Sequence, residues 1–171
     1  MKKFIRKLDK GIYYLIMVIL LFCLLFFNQL AKGWAYILLV LVLILFSLTI
    51  WLLFQLLMQI PKSAKTLRMI VFCISQLILC VIFSYANFYH LLYELRGKVA
   101  FQGSSLKAND FIYYSVTTFT TTGYGDITSI GPISNMVAAS EMLMGYTIST
   151  VIMGVIATKI YQSNSKNNNN R

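Results

Sequence analysis

The sequence predicts an all-α integral membrane protein of four transmembrane helices, with a short re-entrant helix and an irregular loop between the third and the fourth. Three observations predict it. Of the 171 residues, 58% are hydrophobic and mean hydropathy is +0.73, well above the roughly 45–50% apolar share of an ordinary soluble domain. Four apolar runs come up to the roughly 20 residues of helix that cross about 30 Å of hydrocarbon. The charges, +10 net, gather at the ends of those runs, so membrane topology accounts for them and nucleic acid is not an expected partner.

The first run, residues 12–28, follows the basic segment MKKFIRKLDK. A cleaved signal peptide starts the same way, but this run outlasts a typical h-region and no small-x-small site follows, so it reads as a retained helix. The second run covers 34–59, the third 68–93 and the fourth 133–161. Lys2, Lys3, Arg6, Lys7, Lys10, Lys62, Lys65, Arg68, Lys159, Lys166 and Arg171 fall on one side of this pattern; Lys32, Arg96, Lys98 and Lys107 fall on the other. Basic residues favour the cytoplasmic side, so both termini are expected there in a multi-pass protein of the cell membrane. Anionic lipids at the cytoplasmic face are an expected contact. Spans one and two carry essentially no internal charge, whereas a voltage sensor needs several arginines on one span. They are expected to form a peripheral hairpin.

Cys23, Cys73 and Cys80 lie inside predicted spans and read as lipid- or core-facing thiols rather than disulfides or ligands. His90, the single histidine, sits near the outer end of span three, where packing is expected of it. One histidine, scattered carboxylates and buried thiols offer no acid–base pair or metal set, so no enzyme and no cofactor is expected. The tail SNSKNNNNR is polar and low in complexity and is expected to be disordered. The chain thus divides into 1–66, a basic segment and two-helix hairpin; 67–161, a two-span module; and 162–171, the tail.

Between spans three and four, ELRGKVAFQGSSLK (94–107) reads as an exposed outer loop. NDFIYYSVTTFT (109–120) follows, with Asn109 and Asp110 as N-cap candidates, and predicts a helix over 110–120. About three turns cannot cross a bilayer, so this helix enters from outside and ends at membrane depth. The negative end of its dipole then favours a cation beyond it. Irregular backbone is tolerated at that depth only where it is buried in protein or lines water.

That backbone is TTTGYGDI, residues 120–127. Gly123 and Gly125 reach positive φ without a Cβ penalty, which permits alternating ordinary and left-handed conformations. Successive carbonyls then point to one side, at roughly 3 Å steps, and replace the water shell of a dehydrated cation. One strand cannot encircle an ion; several related by rotational symmetry can.

The run TTTGYGD resembles the T-V-G-Y-G-D signature of the potassium channel pore family, the usual illustration of selectivity by carbonyl rings. The resemblance covers 67–161 and extends to YYSVTTFT before the filter and to Gly145 in span four. It implies that the carbonyls of Thr121, Thr122, Gly123 and Tyr124, with the Thr121 hydroxyl, form stacked K+ sites in a filter over 121–126 that Gly125 completes. Asp126 would hold the filter's outer end, with Tyr113, Tyr114 and the Tyr124 ring as an aromatic cuff. Gly145 matches the hinge glycine of an inner helix over 133–161. With one filter segment per chain, the pore would be a C4 homotetramer. Three positions depart from the family pattern. Thr122 replaces valine or isoleucine, Thr117 stands where some members carry an acid, and Tyr113 stands where many carry a tryptophan that donates to the aspartate.

Glu141 is the one carboxylate well inside a span, one turn before Gly145. It is expected behind the filter, near Thr117, Thr118 or Ser115. The alternatives are a structural hydrogen bond, by an ionised or a protonated acid, and gating coupled to pH or ions. Tyr146, Ser149, Met153 and Ala157 trace one helical stripe that either lines a water-filled cavity or packs on span three. The expected function is passive, potassium-selective conduction across the lipid bilayer. The alternatives are a weakly selective cation channel and a non-conducting accessory or scaffold subunit.

Overall fold

A computed structural model describes residues 2–27, 35–60, 67–104 and 106–168, with side chains over 13–26, 36–60, 68–104 and 106–161. The side chains of Lys2, Lys3, Arg6, Lys7, Lys10, Lys32, Lys62, Lys65, Lys166 and Arg171, on which the orientation rests, lie outside the described residues. So do residues 169–171 of the tail.

The chain folds into an all-α membrane protein. Helices α1 (Lys2–Phe27), α2 (Ala35–Gln59) and α3 (Leu67–Arg96) are followed by a 3₁₀ turn (Gly97–Val99) and strand β1 (Phe101–Gln102). Then come helix α4 (Ala108–Phe119), strand β2 (Thr128–Ser129) and helix α5 (Pro132–Asn168). Among the described residues, three helices are long and apolar enough to cross a membrane: Tyr36–Gln59, Arg68–Val99 and Pro132–Tyr161. Among the described residues, the apolar part of α1, Tyr13–Phe26, is shorter.

Helix α3 is the hub. Both α1 and α2 pack on it, α1 through Met17, Leu21 and Leu25 against Cys80 and Ala86, and α2 through Leu38 and Val42 against Leu91. Cys73 and Cys80 are buried against neighbouring helices and Cys23 is exposed on α1. Asn87 supplies the polar tie: its Nδ2 donates to the Leu21 carbonyl of α1 at 3.0 Å and to Phe83 at 2.7 Å. Interhelical hydrogen bonds of this kind contribute about 1 kcal/mol in lipid. Asn87→Ala is therefore expected to lower the melting midpoint of the detergent-solubilised chain by about 2–4 °C while leaving ion flux unchanged. A midpoint equal to wild type would refute the tie.

The loop after α3 is less exposed than its polar letters suggest. Ala100 and Phe101 are buried, because β1 pairs antiparallel with β2, Phe101 opposite Ser129 and Gln102 opposite Thr128. Ser134, in the first turn of α5, closes the junction by donating to the Ala100 carbonyl at 2.8 Å and accepting from the Gly131 amide at 3.1 Å. The segment after residue 126 is thus fastened to the loop that leads into α4.

Helix α4 begins at Ala108, earlier than the sequence suggested. Lys107 is the N-cap residue, and Asp110 sits three residues on, where its Oδ2 accepts the Lys107 amide at 2.8 Å. Asn109 and Asp110 are therefore first-turn residues rather than caps. At about 18 Å the 12 residues of α4 are too short to cross the membrane. Helix α5 runs to Asn168, so residues 162–168 of the expected disordered tail are helical; no glycine or proline interrupts them. Of the three described spans its most apolar stretch is the barest, 11% buried against 56% for α3.

Candidate functional site

The end of α4 explains how residues 120–126 leave the helix. Thr120 is the last helical residue by geometry, and Thr121 follows with φ of +57°. The Thr121 amide donates to the Thr118 carbonyl at 3.0 Å and the Thr122 amide to the Thr117 carbonyl at 2.8 Å. These are the two bonds of a Schellman ending, in which the residue after the cap is left-handed. Glycine usually takes that place, and a β-branched residue there is strained by about 1–2 kcal/mol. Local bonds help to hold the turn. The Thr120 hydroxyl donates to the Val116 carbonyl at 2.8 Å, the Thr120 and Thr122 hydroxyls lie 2.9 Å apart, and the Gly123 amide also reaches the Thr117 carbonyl at 3.3 Å.

From there the left-handed conformation recurs at every second residue: Thr121 at +57°, Gly123 at +52° and Gly125 at +81°, while Thr122 and Tyr124 stay at negative φ. The glycine alternation read from the sequence is present and starts one step earlier, at a threonine. Residues 120–126 are all exposed in the single chain.

The outer end of this segment leans on α4. The Tyr124 ring stacks on Tyr113 with centroids 6.3 Å apart and planes 9° from parallel. The Asp126 carboxylate stands as acceptor to the Tyr113 hydroxyl and, with some burial and its own charge, pushes that phenol above its ordinary range. Tyr114 does not join the stack. One residue further round the helix, it is buried edge-on against Tyr89 and Phe101 at 4.9 and 5.6 Å. Thr117 is buried and donates to the Tyr114 carbonyl at 3.0 Å, inside its own helix.

Behind the segment, one carboxyl joins three helices. Glu141 of α5 has no exposed surface. The Tyr89 hydroxyl of α3 donates to its Oε2 at 2.5 Å, and Oε1 lies 2.5 Å from Ser115 Oγ of α4. Ser115 Oγ also lies 2.9 Å from the Ile82 carbonyl of α3. Of the three partners the sequence suggested, Ser115 is the one used. Tyr89 carried no signal, because its contact with position 141 depends on the packing of α3 against α5. A neighbouring bond links Tyr85 of α3 to Ser140 of α5 at 3.1 Å.

Four residues further along both helices, α4 and α5 touch again. A β-carbon on Gly145 would run into the Phe119 carbonyl, with the Phe119 carbonyl carbon at 3.0 Å. Position 145 is therefore glycine for close approach, and α5 passes through it as an unbroken helix. The stripe Tyr146, Ser149, Met153 and Ala157 is exposed. Met144, Ile148, Ile152 and Val155, on another face of α5, pack on the core in its place. His90 is buried edge-on against Phe111, with Nε2 3.8 Å from Glu94. Among the described residues, no group of three His, Cys, Asp or Glu side chains could hold a metal ion.

A protein-family model described as Ion channel matches residues 76–162, half of the chain. It covers the last two thirds of α3, all of α4, the 120–127 segment and α5 as far as residue 162. No curated protein and no solved structure matches.

Proposed function

The chain belongs to the ion channel family, and we propose that it is a potassium-selective member that conducts passively through backbone carbonyls of residues 121–125. The observation that carries this reading is the left-handed φ at Thr121, Gly123 and Gly125 with ordinary φ between them. That alternation turns successive carbonyls toward one side, where several chains together replace a cation's hydration shell. The C-terminal end of α4 points its partial negative charge toward the same region. Thr121, Thr122, Gly123 and Tyr124 supply the K+ sites, and Asp126 with Tyr113 keeps the outer end in place.

A single strand leaves these carbonyls open to water or lipid, so the functional unit is a C4 homotetramer. The bareness of α5 and the exposure of residues 120–126 are what such an assembly would cover. Tyr146, Ser149, Met153 and Ala157 then line the cavity below the filter. Helix α1 serves as a fourth span, with both termini on the cytoplasmic side of the cell membrane and the basic residues against anionic lipid.

Purified protein in liposomes under a potassium or sodium gradient tests this, with barium as blocker. Barium-sensitive flux at least tenfold greater for potassium is expected. Equal potassium and sodium flux would replace the reading with a weakly selective pore. Absence of flux from verified tetramers would replace it with a scaffold.

A further inference from the structure

The node between Tyr89, Ser115 and Glu141 contains a proton-counting problem. Ser115 carries one hydroxyl hydrogen yet lies within hydrogen-bond distance of two oxygens, Glu141 Oε1 at 2.5 Å and the Ile82 carbonyl at 2.9 Å. The Ile82 carbonyl only accepts. An ionised carboxylate also only accepts, and its second oxygen already takes the Tyr89 hydrogen. With Glu141 ionised, three hydrogen-bond contacts would share two hydrogens, and one pair of oxygens would face each other without a proton. A hydrogen on Glu141 Oε1 resolves the count.

We propose that Glu141 is a neutral acid that positions α4 by donating to Ser115, which in turn donates to the Ile82 carbonyl. The chain runs from Tyr89 O–H to Glu141 Oε2, from Glu141 Oε1–H to Ser115 Oγ, and from Ser115 O–H to Ile82. Distances of 2.5 Å also suit a charged acceptor, but a charge here would have no cation opposite it among the described residues. The titratable groups facing it are Tyr85 and Tyr89 of α3, with Tyr114 of α4 against Tyr89, and among the described residues no basic side chain bonds to it. A buried carboxylate without a partner cation is strongly disfavoured. As a neutral acid the group satisfies every contact it makes.

The direction of the chain matters for residues 121–125. Ser115 lies on α4 in register with Glu141 on α5, and Phe119 with Gly145 lies four residues further on both helices. Two points therefore fix how far α4 descends before the Schellman turn at Thr120 and Thr121. This makes Glu141 a positioning residue for the filter, a role that rests on the function proposed above.

Infrared spectroscopy of the full chain in detergent reads the proton directly. At neutral pH the carbonyl stretch of a protonated carboxylic acid is expected, shifted by deuterium and absent in Glu141→Gln. In Ser115→Ala the band should move to higher frequency as its acceptor is lost. No such band in wild type would overturn the proposal, whatever the flux. Glu141→Gln replaces acid with amide donor for donor, so the melting midpoint is expected within about 2 °C of wild type and selective flux within about twofold. Glu141→Leu is expected to lower the midpoint by about 5 °C or more and the flux at least tenfold. Collapse of Glu141→Gln, or a wild-type midpoint and flux in Glu141→Leu, would equally overturn the positioning role. Wild-type liposomes without selective flux would refute the filter and leave the band to decide the proton.

Discussion

Gly123→Ala is expected to abolish potassium-selective flux while leaving the helices and their assembly intact. Nothing lies within 4 Å of a β-carbon at Gly123 in the single chain, so the substitution does not fail by collision there. It fails through the backbone. At φ of +52° an alanine is disfavoured by about 1 kcal/mol or more, and the cheapest relief is rotation to negative φ. That rotation turns a carbonyl away from the side shared by Thr121 and Gly125. A loss near 1 kcal/mol per chain becomes about 4 kcal/mol when four chains form each proposed ring, roughly a thousandfold. Liposome flux measures the loss, and circular dichroism with chemical crosslinking reports whether helices and oligomer survive. Retained potassium selectivity in intact oligomers would refute the assignment of residues 121–125 as the conducting path. The sibling substitution at Gly125, φ +81°, is expected to act in the same direction.

The same alternation shows what was legible in the sequence. Gly123 and Gly125 announce positive φ because glycine is the residue that reaches it freely. Thr121 does not announce it, since a β-branched residue is the wrong letter for that conformation. Its φ is set by the end of α4, where two amides must find the Thr117 and Thr118 carbonyls. The signal was available only in the spacing, two residues back from Gly123. The long spans were likewise visible in hydropathy, because lipid selects length and apolarity alone. Their faces were not. A helix apolar all round gives no stripe to read, so the seating of α1 and α2 on α3 and the turning of Tyr114 toward Tyr89 emerged only with packing. Glu141 was conspicuous as an acid in a span. Ser115 was among the neighbours expected of it behind the loop, but Tyr89, 52 residues away on α3, was beyond the reach of any local pattern.

Conduction and stability meet at α5. A helix with so little of its span buried is held in the single chain mainly through α4, and α4 in turn carries residues 120–126 at its end. Any change that pushes α4 away from α5 therefore acts on the fold and on the proposed filter at once.

Gly145→Ala is the smallest such change. The Phe119 carbonyl occupies the space of the new methyl group, and it belongs to the backbone of α4, so no side-chain rotation relieves the clash. Overpacking of this kind costs about 1–3 kcal/mol, and at a backbone contact the upper part of that range applies. A drop in melting midpoint of about 6–12 °C is expected, together with loss of selective flux, because α4 shifts along with the turn at Thr121. Gly154→Ala is the internal control. Gly154 lies on the same helix with nothing within 4 Å of its β-carbon position and without positive φ, so alanine there should be neutral or slightly stabilising through helix propensity. If position 145 served only as a flexible hinge, Gly145→Ala would change gating and leave the midpoint at the Gly154→Ala value. A fallen midpoint assigns the glycine to close packing of α4 on α5.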